Sequence, residues 1–296
     1  MIRLLLMVVL VTPRCLFATE AASLPAYLLQ VPAGLGAILV AETDTATLYR
    51  FDSDSGLSDT RYMSIGQNGV GKRRPWDRRT PLGIYFIVEQ LDTTRLHERY
   101  GAAAFPLDYP NIWDRRNRRG GDGIWIHGVD PGGGQRPPLD TDGCIALPND
   151  ELLAIDDEFV PLVTPVIITR KIRWMNSTQI AAIREELEAA LHDWETSFRS
   201  GDLHRYLALY ADDFEYRGMS RADWSAFRLR TFSNRPIREF EVQDILLLAD
   251  PEDDGVYLSR FQQRIIDDRN TVTTTKRLYW RRNKNGKFLI VAEDNG

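Results

Sequence analysis

The 296-residue chain holds two cysteines and four histidines, so thiol chemistry has few places to sit. Cys144 lies in the run Asp140-Thr141-Asp142-Gly143-Cys144-Ile145-Ala146-Leu147-Pro148-Asn149. His127 closes the apolar run Gly123-Ile124-Trp125-Ile126-His127-Gly128. A thiol is mostly protonated at neutral pH, so acyl transfer by a cysteine needs a neighbouring base or cation. An imidazole is both: it pairs as imidazolium with the thiolate, then returns the proton to a leaving amine. Gly143, lacking a side chain, lets a substrate carbonyl approach the backbone. The N–H groups of Gly143 and Cys144 are candidates to hold the oxyanion of a tetrahedral intermediate. A third group must orient the ring, and a backbone carbonyl near Gly128 would serve as well as a carboxylate. The scheme requires the imidazole within hydrogen-bonding reach of the sulfur. The competing reading is a cysteine buried as a small apolar side chain.

Other chemistries find less support. The glycines between residues 120 and 134 are not closed by Gly-Lys-Ser/Thr, so a phosphate loop is rejected. The histidines are scattered without ligand spacing, so neither a metal nor a cofactor is expected. A net charge of -5 argues against a nucleic-acid-coating protein. Arg115, Arg116, Arg118 and Arg119, with Lys72, Arg73, Arg74, Arg78 and Arg79, make one region locally basic. This is either a carboxylate-holding set or a solvated loop cluster.

The elements that must position these groups begin after a distinctive start. Met1-Ile2-Arg3, the apolar run from Leu4 to Thr12 and the small residues Ala18, Ala21 and Ala22 have the layout of a signal peptide over residues 1–22. The run is too short for a permanent membrane span, and Pro13-Arg14 are the wrong residues for a lipid anchor at Cys15. An exported protein of the periplasm or cell envelope is expected. There a lone Cys144 is either reactive or buried. Residues 33–172 read as short strands and turns, with strands at 37–41, 47–51, 83–88, 123–128 and 165–169 and a short helix from Pro148 to Leu153. Residues 176–296 read as α+β. Asn176-Ser177 caps a helix whose apolar residues, Ile180, Ile183, Leu187, Leu191, Trp194 and Phe198, share one face. A second helix carries Leu203, Tyr206, Leu207 and Tyr210, and four strands follow at 240–248, 256–266, 271–282 and 288–292.

With His127-Gly128 and Thr141-Asp142-Gly143-Cys144-Ile145 followed by Asn149, the first part resembles the L,D-transpeptidase (YkuD) catalytic domain. The likeness extends through Ser64-Ile65-Gly66, Thr80-Pro81-Leu82-Gly83-Ile84-Tyr85, Tyr100-Gly101, Ala104-Phe105-Pro106 and Tyr109-Pro110-Asn111, and is greatest to the YafK-like murein branch. The resemblance implies a mostly β catalytic domain, Cys144 as nucleophile, His127 as base and peptidoglycan stem peptides as substrate. Gly128 and Gly143 belong to the catalytic set it implies, and Thr141, Asp142, Tyr109 and Arg119 are the expected substrate-binding residues. Two departures stand out. Many members carry histidine where Asp142 stands and arginine where Ala146 stands, and a carboxylate pointing inward at 142 would oppose thiolate formation. The second part resembles the SnoaL-like cones related to nuclear transport factor 2, through Trp194 to Gly201-Asp202, Tyr206, Tyr210 to Phe214 and Lys276 to Arg282. That implies an α+β cone in which Trp224, Tyr257, Phe261 and Tyr279 line a pocket or fill the core, and a binding, positioning or dimerisation role. Three readings remain open: an L,D-transpeptidase, an L,D-carboxypeptidase using water as acceptor, and a non-catalytic wall-binding protein.

Overall fold

The structure is a computed structural model that describes residues 23–53, 56–232, 237–267 and 270–296; the leader-like segment 1–22 lies outside them. The chain opens with two short strands, β1 (Ser23–Pro25) and β2 (Leu28–Gln30). Next come β3 (Ile38–Glu42), β4 (Thr47–Asp52), β5 (Gly56–Tyr62), β6 (Ile65–Gly66), β7 (Gly83–Phe86) and β8 (Ala104–Pro106). A short helix α1 (Ile112–Arg116) precedes β9 (Trp125–His127), β10 (Leu139–Thr141) and β11 (Ile145–Ala146). Helix α2 (Asn149–Leu153) and strand β12 (Pro165–Thr169) complete the first domain.

Its main sheet has the order β5-β4-β3-β12-β7, and a smaller one runs β11-β9-β8. The main sheet is buried on both faces, which explains why its central strands β3 and β12 are apolar until their last residues, Glu42 and Thr169. Alternation divides them between two cores. Leu39, Ala41, Tyr85, Val166 and Ile168 point toward Phe105, Ile126, Ile145 and Leu147 of the smaller sheet and its flank. Ile38, Val40, Ile84, Phe86 and Ile167 point the other way, into a core shared with Leu246, Leu248, Leu258, Tyr279 and Val291 of the second domain.

The second domain begins beyond β13 (Trp174–Asn176) with helix α3 (Ser177–Ser200) and α4 (Leu203–Leu207). Asn176 caps α3 by accepting the Gln179 N–H at 2.9 Å, and Gly201 ends it in the left-handed conformation, the usual solution for terminal helix groups. Strands β14 (Tyr210–Tyr216) and β15 (Met219–Ser220) lead into α5 (Arg221–Phe232). Long strands β16 (Ile237–Ala249), β17 (Val256–Asp267), β18 (Thr271–Arg282) and β19 (Phe288–Asp294) follow. The sheet order is β15-β14-β19-β18-β17-β16-β2. Its edge strand β2 thus comes from the chain segment ahead of the first domain, pairing Gln30 with Leu247. β1 likewise pairs with β13.

One face of this sheet carries Leu247, Phe261, Leu278, Trp280 and Ile290 against Leu187, Leu191, Trp194 and Phe198 of α3. The other packs on the first domain. Two sequence expectations are corrected here. The second helix stops at Leu207, and Tyr210 starts a strand because its backbone joins β19 opposite Ile290. Tyr279 does not line the cone with Trp224 and Phe261; it stacks on Trp113 of the first domain, with ring centroids 6.0 Å apart and planes 11° from parallel.

Candidate active site

β9 and β11 pair in parallel, placing Ile145 opposite Ile126 and Ala146 opposite His127. Because side chains alternate, Ile126 and Ile145 enter the core together, while His127 and Cys144 fall on the opposite face. They sit diagonally across the pair, with about 8 Å between backbone positions from strand spacing and rise. Both side chains line one cavity of about 800 Å³, whose wall also includes Lys72, Arg99, Tyr100, Arg136, Thr141 and Asp142.

The ring of His127 is fixed from two sides. Its Nδ1 lies 2.6 Å from the Gly128 carbonyl; a carbonyl only accepts, so Nδ1 carries the proton and Nε2 is left with its lone pair. Tyr100 packs edge-on against the imidazole with centroids 5.2 Å apart. The Gly128 loop is itself held by Asn149. Oδ1 of Asn149 accepts the N–H groups of Ala102 and Val129, each at 3.0 Å, and its Nδ2 donates to the Val129 carbonyl at 2.9 Å. A Cβ at Gly128 would come within 2.1 Å of that oxygen, and one at Gly101 within 2.3 Å; both glycines are needed for this close approach. Asn149 therefore does not cap α2, whose start has no side-chain cap.

The thiol of Cys144 donates to the Gly123 carbonyl at 3.3 Å, not to the imidazole, so the direct thiol–imidazole hydrogen bond expected from the sequence is absent in this state. Burial pushes the Cys144 thiol up to about 11. The Trp125 N–H pulls it down, Asp142 raises it, and Arg99 and Lys72 lower it. Burial also carries His127 down to about 4, against the Gly128 carbonyl and with help from Arg136 and Arg99. Thiol and imidazole are thus both neutral at neutral pH, in place of the expected ion pair. Such a pair works by transferring the proton when the nucleophile attacks.

The nucleophile loop is shaped by Thr141, whose hydroxyl donates to the Cys144 carbonyl at 2.7 Å and accepts the Gly143 N–H at 3.1 Å. That engagement removes Gly143 from the expected oxyanion donors. Gly143 is required for another reason: at φ 127° a Cβ there would meet the Arg79 carbonyl at 2.7 Å. Asp142 faces solvent, its carboxylate 3.6 Å from Arg78.

Two expected substrate contacts lie elsewhere. Tyr109 is buried against Tyr85 and donates to the Gly120 carbonyl at 2.8 Å. Arg119 makes a two-pronged contact with Asp253 of the second domain, at 2.8 and 3.0 Å. Both are structural. The basic run around Arg116 and Arg119 reads as solvated or substrate-facing, yet Arg116 bonds Asp213 at 2.8 Å across the same domain junction. Tyr100, Arg99 and Arg136 join the cavity wall although nothing local in the sequence signals that their loops fold over it.

Residues 36–168 match the L,D-transpeptidase catalytic domain (YkuD), and residues 186–294 match the C-terminal nuclear transport factor 2-like domain described as Cds6 C-terminal. Residues 36–168 thus form a YkuD-type domain, followed by an α+β cone of the nuclear transport factor 2-like type. No curated protein sequence matches it. Among solved structures, Bd1075 of Bdellovibrio bacteriovorus is 22% identical, with a TM-score of 0.76 covering 93% of this chain and 98% of that one. Pgp2 of Campylobacter jejuni, described as a helical cell shape determining protein, is 24% identical, with a TM-score of 0.71 over 87% of this chain and 91% of its own. At these identities the likeness establishes the shared two-domain fold.

Proposed function

We propose that the protein is an exported peptidoglycan enzyme in which Cys144 attacks the L,D bond before the terminal D-alanine of a tetrapeptide stem. The observation that carries this reading is the shared cavity of Cys144 and His127, with Nδ1 committed to Gly128 and Nε2 left as the base. The thiol leaves the Gly123 carbonyl and turns to Nε2, which takes its proton as sulfur bonds to the carbonyl carbon, and the Cys144 N–H is the candidate oxyanion donor. Collapse breaks the C–N bond, the proton passes to the departing D-alanine amine, and a thioester remains. An amine acceptor then makes the enzyme a transpeptidase.

Water as the acceptor makes it an L,D-carboxypeptidase, since the steps up to the thioester are the same for either acceptor. The leader-like residues 1–22 support export.

The test is digestion of purified tetrapeptide muropeptides by the full chain, followed by mass analysis. A tripeptide product supports hydrolysis and a cross-linked or exchanged product supports transfer. Either should vanish in Cys144→Ala. An unchanged substrate at every pH tried would leave only a wall-binding role.

A further inference from the structure

Residues 72–79 form a loop on the rim of the cavity, with Pro75 and Trp76 at its tip. Trp76 is 94% exposed, so its indole has no part in packing. Its backbone is left-handed, φ 60°, a conformation that glycine adopts freely and bulky residues avoid. The loop around it is nevertheless firmly built. The Asp77 carboxylate accepts the N–H groups of Arg73, Arg74 and Arg79 at 2.8, 3.1 and 3.2 Å, and Lys72 Nζ at 2.9 Å. Asn68 Nδ2 donates to the Asp77 carbonyl at 2.9 Å, and the Gly120 N–H donates to the Arg73 carbonyl at 2.9 Å from behind. A large apolar ring is thus held in water, in a disfavoured backbone, by a rigid support. Strain kept at such a position points to a ligand.

We propose that Trp76 is the stacking platform for a sugar ring of the glycan strand that carries the stem peptide. The inference rests on the stem-peptide reading of the cavity, because whatever meets the indole is joined to what reaches Cys144. A pyranose offers an apolar C–H face to an aromatic ring and hydroxyls around its edge. Gln67, Arg78 and Asp122 on the same cavity wall supply donors and acceptors for those hydroxyls. A protein docked on Trp76 would cover the mouth through which the stem must enter, which favours the sugar as occupant.

The experiment compares a disaccharide-tetrapeptide with the sugar-free tetrapeptide, in the full chain and in Trp76→Gly and Trp76→Phe. Glycine suits the left-handed backbone, so Trp76→Gly removes the ring without straining the loop. The wild type should prefer the sugar-bearing substrate, and Trp76→Gly should raise its KM about tenfold relative to the free peptide's, as expected for losing one ring contact. Trp76→Phe should recover most of the preference. Equal losses on both substrates would mean that Trp76 touches the peptide and would overturn the proposal, as would an unchanged preference. A calorimetric titration with a β-1,4-linked N-acetylglucosamine tetramer separates this from failure of the catalytic reading. If neither substrate is cleaved, tetramer binding that is lost in Trp76→Gly still upholds the platform, and no binding overturns it.

Discussion

The amide oxygen of Asn149 holds the N–H of Val129 at 3.0 Å, and through that bond a residue on α2 sets the position of the carbonyl that orients His127. Replacing Asn149 with alanine removes the partner of two N–H groups and one carbonyl; the partly buried Val129 groups cost about 1–3 kcal/mol each when left unsatisfied, whereas the exposed Ala102 N–H turns to water. Asn149→Ala should therefore lower the melting temperature and reduce kcat more than tenfold. Asn149→Asp keeps the acceptor and should recover part of the stability. Unchanged kcat in a folded Asn149→Ala variant would show that the loop holds without it.

The acid limb of the rate profile should lie far below that of an ordinary histidine. His127 sits near 4, chiefly through burial, so the imidazole is neutral and able to accept a proton at any pH above that value. Below it, the protonated ring cannot act as base and the rate falls. kcat/KM should hold steady from pH 8 to about 5, where an unperturbed imidazole would already be protonated. Thiol alkylation should accelerate only toward about 11, the value to which burial raises Cys144. An inflection near 6.5 would contradict the buried neutral pair.

Arg119 distinguishes a domain clamp from a substrate ligand. Its guanidinium holds Asp253 and lies 3.7 Å from the buried carboxylate of Asp114. Arg119→Ala should cost about 1–3 kcal/mol in chemical denaturation, since a charged partner loses its hydrogen bonds. KM for a stem peptide should not move. A raised KM with unchanged stability would restore the role expected from sequence.

The shared core makes the two domains one folding unit. Trp113 stacks on Tyr279 and its Nε1 donates to Asp253 at 2.7 Å, so Trp113→Ala should destabilise the protein by about 3–5 kcal/mol. Heating should give a single transition, and a chain ending after β12 should aggregate through the exposed Ile38, Val40, Phe86 and Ile167 face. Two well-separated transitions would refute this.

What could be read from the sequence was local. Helix α3 announces itself through Ile180, Leu187, Leu191, Trp194 and Phe198, because a 3.6-residue period and an Asn cap lie within one segment. Cys144 and His127 stand out because each sits in a short motif. Arg119 and Tyr109 could not be placed, because their partners, Asp253 and the Gly120 carbonyl, come close only after the chain folds. Helix α5 left little trace, since its run Arg221-Ala222-Asp223-Trp224-Ser225 mixes charge with isolated apolar residues. The upward push on the Cys144 thiol and the downward push on His127 leave no mark in the sequence, because both come chiefly from burial, which spacing does not encode.

Strand β2 has a consequence for how the molecule is made. Its partner in β16 is synthesised only after the whole first domain and three further helices, so the earliest described strands wait unpaired while most of the chain emerges. Folding must include a long-range closure that brings residues 28–30 onto the edge of the second domain's sheet. Contacts so distant in sequence slow the search for the native state, and a partly finished molecule would keep an open sheet edge available to its neighbours.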